Sequence, residues 1–374
     1  MTIRDFFLGL LLPLLVSCGT ETSEKAESGN VLENLTITVD TLMIDSKDRL
    51  FELYRGPRSS SISEDGKFLF LFNSRTSQIQ QINLDKLEWE RDIDFEVEGP
   101  NGIGDAVFET ESLVDGTFLI TGYRKMGIFD ESGTKIKDFS ISSLPISTDL
   151  EELDYALILS KDQKSMFSLP GVRYYEPRTF AKIDLQTYEI DNVPIKEMDW
   201  ISDIKVGVST HYMFDEYMYV QQFKNQILVL TPSSSSFYRY DMEADSLTYH
   251  SFVHVLSPVA NDIKLKMIVE SNEEYQDELR RFFMSYKFGQ PLWDESRDLY
   301  FRFGRKPVSI DDSFQITSSQ VFMYVYDQDF KLVGEAELPE ISKAPNEPFF
   351  KDGKLWSYVN VEDELGFAVI DFKF

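Results

Sequence analysis

GTFLITGYRKMGIFDESGTKIKDF, Gly116 to Phe139, consists of three short apolar runs divided by turn residues. FLI is the first run, MGIF the second and IKDF the third. Gly122, then Asp130, Ser132 and Gly133, are residue types that favour tight turns. If the stretch is a lone hairpin it says little. If it is one copy of a repeating unit, it decides the fold.

The ending Ile128-Phe129-Asp130 recurs as Ile82-Asn83, Ile183-Asp184, Tyr240-Asp241, Tyr326-Asp327 and Ile370-Asp371, in each case closing a short alternating run. Each is preceded by another apolar run: FLFLF at 68–72, FLI at 118–120, SMFSL at 165–169, YMYV at 217–220, LYFRF at 299–303 and LWSYV at 355–359. Those runs follow acidic turns: EDG at 64–66, VDG at 114–116, SKDQ at 160–163, FDE at 214–216, WDES at 293–296 and KDG at 351–353. Period-two alternation rich in aromatics suits strands rather than helices. The unit is a four-stranded meander, the length and pattern of a propeller blade. One such sheet cannot bury both of its faces alone, and stacking the units around an axis does so. The expected fold is therefore all-β: a six-bladed β-propeller of four-stranded blades. The chain ends three residues after Asp371, so the last blade lacks an outer strand, and NLTITVDTLMI, Asn34 to Ile44, is expected to supply it and close the ring.

The chain has 374 residues, is 42% hydrophobic and 14% aromatic, and carries 37 Lys+Arg against 64 Asp+Glu for a net charge of −27. A sizeable core is expected. The acidity argues against nucleic acid and against docking on anionic lipid through a basic patch. The first residues, MTIRDFFLGLLLPLLVSC, place Arg4 before an apolar run from Phe6 to Val16, which is too short to span a bilayer and fits a secretory signal. Leu15-Val16-Ser17-Cys18 resembles a bacterial lipobox, with Cys18, the only cysteine, as the lipidated residue. The expected organisation is a signal peptide over 1–17, a polar flexible tether over 18–33, and the propeller over 34–374, attached to the membrane only through the lipid.

SEDGKFLFLF resembles the turn and strand of TolB-like propeller repeats, and the Gly116–Phe139 stretch resembles the repeats of six-bladed NHL-like propellers. DFEVEGPNGIGDAVFE, 94–109, resembles the Gly-Pro-Gly-rich connection of lipoproteins in that group, with Asn101-Gly102-Ile103-Gly104 in place of a compact Gly-Pro-Gly-Glu. The resemblance covers roughly residues 35–374 and extends to envelope lipoproteins grouped as domains of unknown function. It implies a fold and says little about activity.

After the second strand of each unit a cation recurs: Arg75, Arg124, Arg173, Lys224 and Arg305, at spacings of 49, 49, 51 and 81 residues. On so acidic a chain this predicts a cationic funnel on the loop face, with Tyr123, Tyr174 and Tyr175 beside it to stack on a sugar or peptide. Solvated turn charges paired with neighbouring acids are the plainer reading. The last spacing is stretched by an insertion around 257–290, where SNEEYQDELRRFFMSYKF has early acids, late arginines and apolar residues three and four apart. That is an amphipathic helix, able to pack on a sheet or to cover the mouth.

Little else suggests chemistry. His211, His250 and His254 are the only histidines, and there is no metal-binding spacing, so no metal is assigned. Ser233 to Ser236 reads as a polar loop, and GPNGIG has the wrong spacing for a dinucleotide fingerprint. No cofactor or catalytic residue is assigned. The expected function is that of a monomeric, lipid-anchored binding protein of the bacterial cell envelope, at the outer membrane, recognising a partner protein, glycan or peptide. A propeller hydrolase or lyase acting on extracellular carbohydrate and a purely structural assembly lipoprotein are the alternatives.

Overall fold

The computed structural model describes residues 21–22, 29–53, 56–57, 59–123, 125–145, 153, 157–171 and 177–374. The chain is built almost entirely from antiparallel sheets whose strands follow one another in sequence. The first sheet is Ser60–Ile62, Phe68–Asn73, Gln78–Asn83 and Glu88–Asp94; the second is Val107–Ser112, Phe118–Gly122, Lys125–Phe129 and Lys135–Asp138. The third is Ile158–Leu159, Ser165–Ser168, Thr179–Asp184 and Ile190–Pro194. The fourth is Tyr219–Phe223, Gln226–Leu230, Phe237–Asp241 and Ser246–Ser251, with Glu21–Thr22 added in parallel at its outer edge. In the fifth, Lys287–Phe288 and Leu292–Asp294 both pair with Leu299–Ile310, followed by Ile316–Tyr326 and Leu332–Glu337. The sixth is Phe349–Lys351, Lys354–Val361 and Glu364–Lys373.

Thr36–Met43 pairs antiparallel with Glu364–Lys373, from Thr36 opposite Lys373 to Met43 opposite Gly366, and so provides the fourth strand of the sixth sheet. Just before it, inside the stretch expected as a tether, Val31 donates to the Val333 carbonyl at 3.1 Å and Leu32 is buried against the fifth sheet.

The recurring Asp has a local cause. In the opening stretch, Asp130 Oδ1 accepts from the backbone N–H groups of Ser132 at 2.9 Å and Thr134 at 3.0 Å, and Gly133 has φ +76. Asn83, Asp184, Asp241 and Asp327 cap the same third-to-fourth strand turn in their own sheets, each accepting two backbone N–H groups. A carboxylate or amide that satisfies the turn's own N–H groups stabilises it without tertiary help. Asp371 is the exception, because its neighbouring strand arrives from the N-terminus and no turn follows. Asp65, Asp115, Asp162 and Asp294 do the equivalent work between first and second strands.

The middle strands are buried on both faces, and alternation sends each face to a different neighbour. Leu69 and Leu71 pack with Trp356, Phe367 and Val369 of the sixth sheet, while Phe70 and Phe72 pack with Phe118, Ile120 and Phe129 of the second. Leu119 and Ile128 meet Met166 and Ile183 of the third. One larger cluster joins the third, fourth and fifth sheets through Phe167, Leu228, Tyr240, Tyr300 and Tyr324, and Phe301, Met323, Leu355 and Phe372 join the fifth to the sixth.

The helix is Asn272–Phe283, capped by the Ser271 side chain accepting from Glu274 N–H at 3.2 Å. It packs through Tyr275, Leu279 and Phe282 on a small additional sheet, Lys205–Val208, His211–Asp215 and Ile268–Val269, with Val206 and Val269 beneath. That sheet is assembled from two separate inter-sheet connections, which is why no single stretch of sequence announces it. FDE at 214–216 accordingly ends a hairpin in this small sheet and is not a first-to-second strand turn.

Two outcomes follow from this packing. Phe367 is buried where the last sheet meets the first, and Phe367→Ala should cost about 3–5 kcal/mol in denaturant unfolding. The His254 side chain is fully buried, its ring 4.3 Å from that of Tyr324, and burial followed by the nearby Arg302 charge lowers its pKa to about 4. The unfolded chain, with an ordinary histidine near 6.5, then binds more protons, so stability should be full above that value and decline as pH falls toward 4. The loss should approach about 3 kcal/mol and be absent from His254→Phe, as measured by denaturant unfolding at stepped pH.

Candidate functional site

Each sheet has one end carrying its second-to-third strand turn and the connections to its neighbours, and an opposite end carrying the other two turns. The expected cations do not all share an end. Arg75 lies in the turn between Phe68–Asn73 and Gln78–Asn83, is largely exposed, and sits 3.9 Å from Glu52. Tyr123 is exposed in the corresponding turn of the second sheet. Arg124, Arg173, Tyr174 and Tyr175 fall outside the described residues, as does Cys18.

Lys224 is at the opposite end. Tyr219–Phe223 is the first strand of the fourth sheet, not the second, because Gln226–Leu230 follows it and pairs with it. Lys224 therefore turns between first and second strands, its ammonium 4.1 Å from the centroid of the Trp293 ring. Reading YMYV as the second strand caused this displacement, since QILVL so close behind it looks like a continuation.

Arg305 is in a different setting again. The second strand of the fifth sheet runs on to Ile310, so Arg305 is within the strand, opposite Val321 on one side and Lys287 on the other. Two cations thus face each other across a strand pair, which is unfavourable unless something offsets it.

For Lys287 the offset is present. Its ammonium pairs with Glu216 and donates to Ser233 Oγ at 2.8 Å, and Ser233 donates to Glu216. The ammonium also stands 3.5 Å from the centroid of the Phe282 ring. Burial is the main influence on its pKa, lowering it to about 8, with Arg305 adding to that and Glu216 opposing it. Arg305 has no such offset. It makes no hydrogen bond or ion pair with a described residue, its Nε is buried without a partner, and burial lowers its pKa.

Both cations line a cavity of about 360 Å³ with Tyr217, Tyr219 and Gln290, walled on the far side by the connection containing Pro345, Glu347 and Pro348. The rings of Tyr217 and Tyr219 are 5.9 Å apart, and burial pushes the Tyr219 hydroxyl up to about 12.

The polar stretch Ser233–Ser236 is the loop between the second and third strands of the fourth sheet, and it backs the floor of the cavity rather than facing solvent. All four serines are buried. Asn261 N–H donates to Ser233 O at 2.7 Å, Ser235 N–H to Val259 O at 2.8 Å and Phe288 N–H to Pro232 O at 2.8 Å. Arg302, fully buried, donates to the carbonyls of Gly289 at 2.6 Å, Ser234 at 3.0 Å and Ser235. Serine is small enough to let backbone carbonyls converge on a guanidinium, and that convergence is invisible in a run of four polar residues.

A second cavity, about 950 Å³, is lined by the first strands of the first four sheets, including Ser61, Glu109, Glu111, Lys161, Gln221 and Gln222. Tyr219 and Gln290 line both cavities, so the smaller opens beside the larger. Among the described residues no group of His, Cys, Asp and Glu has the arrangement of a metal site, and none of the helices is long and apolar enough to cross a membrane.

With this geometry in view, the comparisons with known proteins concern the fold. A crystal structure of a DUF4221 family member from Bacteroides vulgatus superposes with a TM-score of 0.64 at 14% identity, over 91% of this chain and 98% of that one. Hydrazine synthase of Kuenenia stuttgartiensis (TM-score 0.41, 11% identity, 84% and 76% of the chains) and the Cps50 (Swd1) β-propeller domain of Myceliophteria thermophila (0.39, 10%, 83% and 82%) are more distant. No curated protein matches the chain. The model of the domain of unknown function DUF4221 matches residues 28–337, and the chain belongs to that family.

Proposed function

We propose that the chain is a lipid-anchored binding protein of the bacterial envelope, and that the cavity at Lys287 and Arg305 takes an anionic group of a glycan, peptide or partner protein. The observation that carries this reading is Arg305. Arg305 is half-buried, its Nε has no acceptor among the described residues, and an anionic ligand in the cavity supplies one. Arginine's planar fork suits a carboxylate or phosphate, and the Tyr217 and Tyr219 rings offer a stacking wall beside it.

The scaffold in this reading is a closed six-bladed β-propeller. Its support is the order of the hydrophobic clusters, which link each sheet to the next and the sixth back to the first, together with the N-terminal strand on the sixth sheet. Lipidation rests on the Leu15–Cys18 sequence. The site is narrower than a ring of five cations: Arg305 remains, joined by Lys287, which sits at no recurring position in the repeat.

The test uses the full chain in detergent micelles, titrated calorimetrically with phosphate and with glucuronate. Wild type should bind at least one of them, and Arg305→Met should weaken that binding about tenfold or more, the loss of one charge-assisted contact. The same variant should melt at an equal or higher temperature, because it removes a half-buried charge that has no ion-pair partner among the described residues. A variant that melts lower and binds unchanged would assign Arg305 to the fold and overturn the site.

A further inference from the structure

Resting on the anion site just proposed, we infer that the two connected cavities together bind a zwitterion: a short extended peptide, its free carboxylate at Arg305 and Lys287 and its ammonium at Glu109 and Glu111. The large cavity supplies the second half of the argument. Glu109 and Glu111 lie two apart on Val107–Ser112, so their side chains leave the same face of that strand. Neither makes a hydrogen bond or ion pair with a described residue. Crowding by the surrounding strands raises the pKa of both, and the Glu109 charge adds to the effect at Glu111 while Lys161 opposes it. By contrast, Asp65, Asp115, Asp130, Asp162, Asp184 and Asp241 hold their own turns, and these six have lowered pKa values. The two glutamates inside the cavity are the reverse case, carboxylates that a cation would stabilise.

The space between the two charged regions is lined for a peptide backbone. Tyr219–Phe223 is an edge strand of its sheet, and its residues run from the small cavity into the large one. An edge strand presents unpaired backbone N–H and C=O groups, the surface on which an extended peptide adds itself. Gln221 on this strand has a buried Oε1 without a hydrogen-bond partner, and Gln163, Gln222 and Gln290 line the same space. Amide side chains both donate and accept, matching a peptide's alternating groups. At about 3.3 Å per residue, a strand of this length accommodates a peptide of about three to five residues.

The probes are trialanine, N-acetyl-trialanine and trialanine amide, titrated calorimetrically into the full chain in detergent micelles. Wild type should bind trialanine about tenfold more tightly than either blocked form. Glu109→Gln/Glu111→Gln should erase the preference over the acetylated peptide and keep that over the amide, whereas Arg305→Met should do the opposite. Melting temperatures of both variants should be no lower than wild type, which separates loss of binding from loss of fold. An acetylated peptide that binds as tightly as the free one would overturn the zwitterion and leave the anion site standing. An amide that binds as tightly would overturn both. Absence of binding by all three at millimolar concentration would overturn the peptide assignment, while phosphate and glucuronate still report on the anion site alone.

Discussion

Arg302 holds the site end of the molecule together. Its guanidinium is buried without a carboxylate partner among the described residues, and its charge is met by backbone carbonyls of Gly289, Ser234 and Ser235, with the Phe288 ring 5.3 Å away. These contacts pin the turn of the fourth sheet to the second strand of the fifth, which carries Arg302, and to Gly289 just after Lys287–Phe288. Pro232, Ser233, Lys287 and Gln290 all take their positions from that union. A buried cation satisfied by carbonyl dipoles is stable only while every carbonyl stays in place, so the floor of the cavity is stiff by construction.

That stiffness divides the three neighbouring cations into different states. Arg302 is saturated by backbone, Lys287 by Glu216 and Ser233, and Arg305 by nothing among the described residues. They belong to two adjacent strands and differ mainly in what the surrounding connections bring to them. Glu216 comes from the connection before the fourth sheet, and the residues over Ser233 and Ser235 come from the connection after it. The helix and small sheet built from those connections therefore act as a buttress for Lys287 rather than as a cover over the opening, as the contact of Phe282 with the Lys287 ammonium illustrates.

The acids divide in a similar way. One group of acids consists of turn-capping aspartates at the sheet ends, satisfied by backbone N–H groups of their own turns. The glutamates in the large cavity cap no turn: Glu109 is open to the cavity's solvent and Glu111 is half-buried. The chain's overall acidity thus says little about its binding preference; the local pairing of each charge says more.

What the sequence by itself determined was the repeat. Alternating strands and self-capped turns depend on residues a few positions apart, so the stretch from Gly116 to Phe139 could be read as three strands of one sheet, and the strand from Thr36 to Met43 could be matched to the sheet that lacked one. The helix was legible for the same reason, its cap, charges and apolar stripe all lying within a few turns of one another. Where two apolar runs stood close together, at YMYV and QILVL, local pattern alone misplaced a strand and with it Lys224. Only the tertiary structure decided the site. Glu216, Ser233 and Lys287 are separated by as many as 71 residues, Arg305 and Lys287 meet through strand register, and the serine run is buried by a distant connection. Those are matters of pairing and burial between elements, and no local pattern of residue types records them.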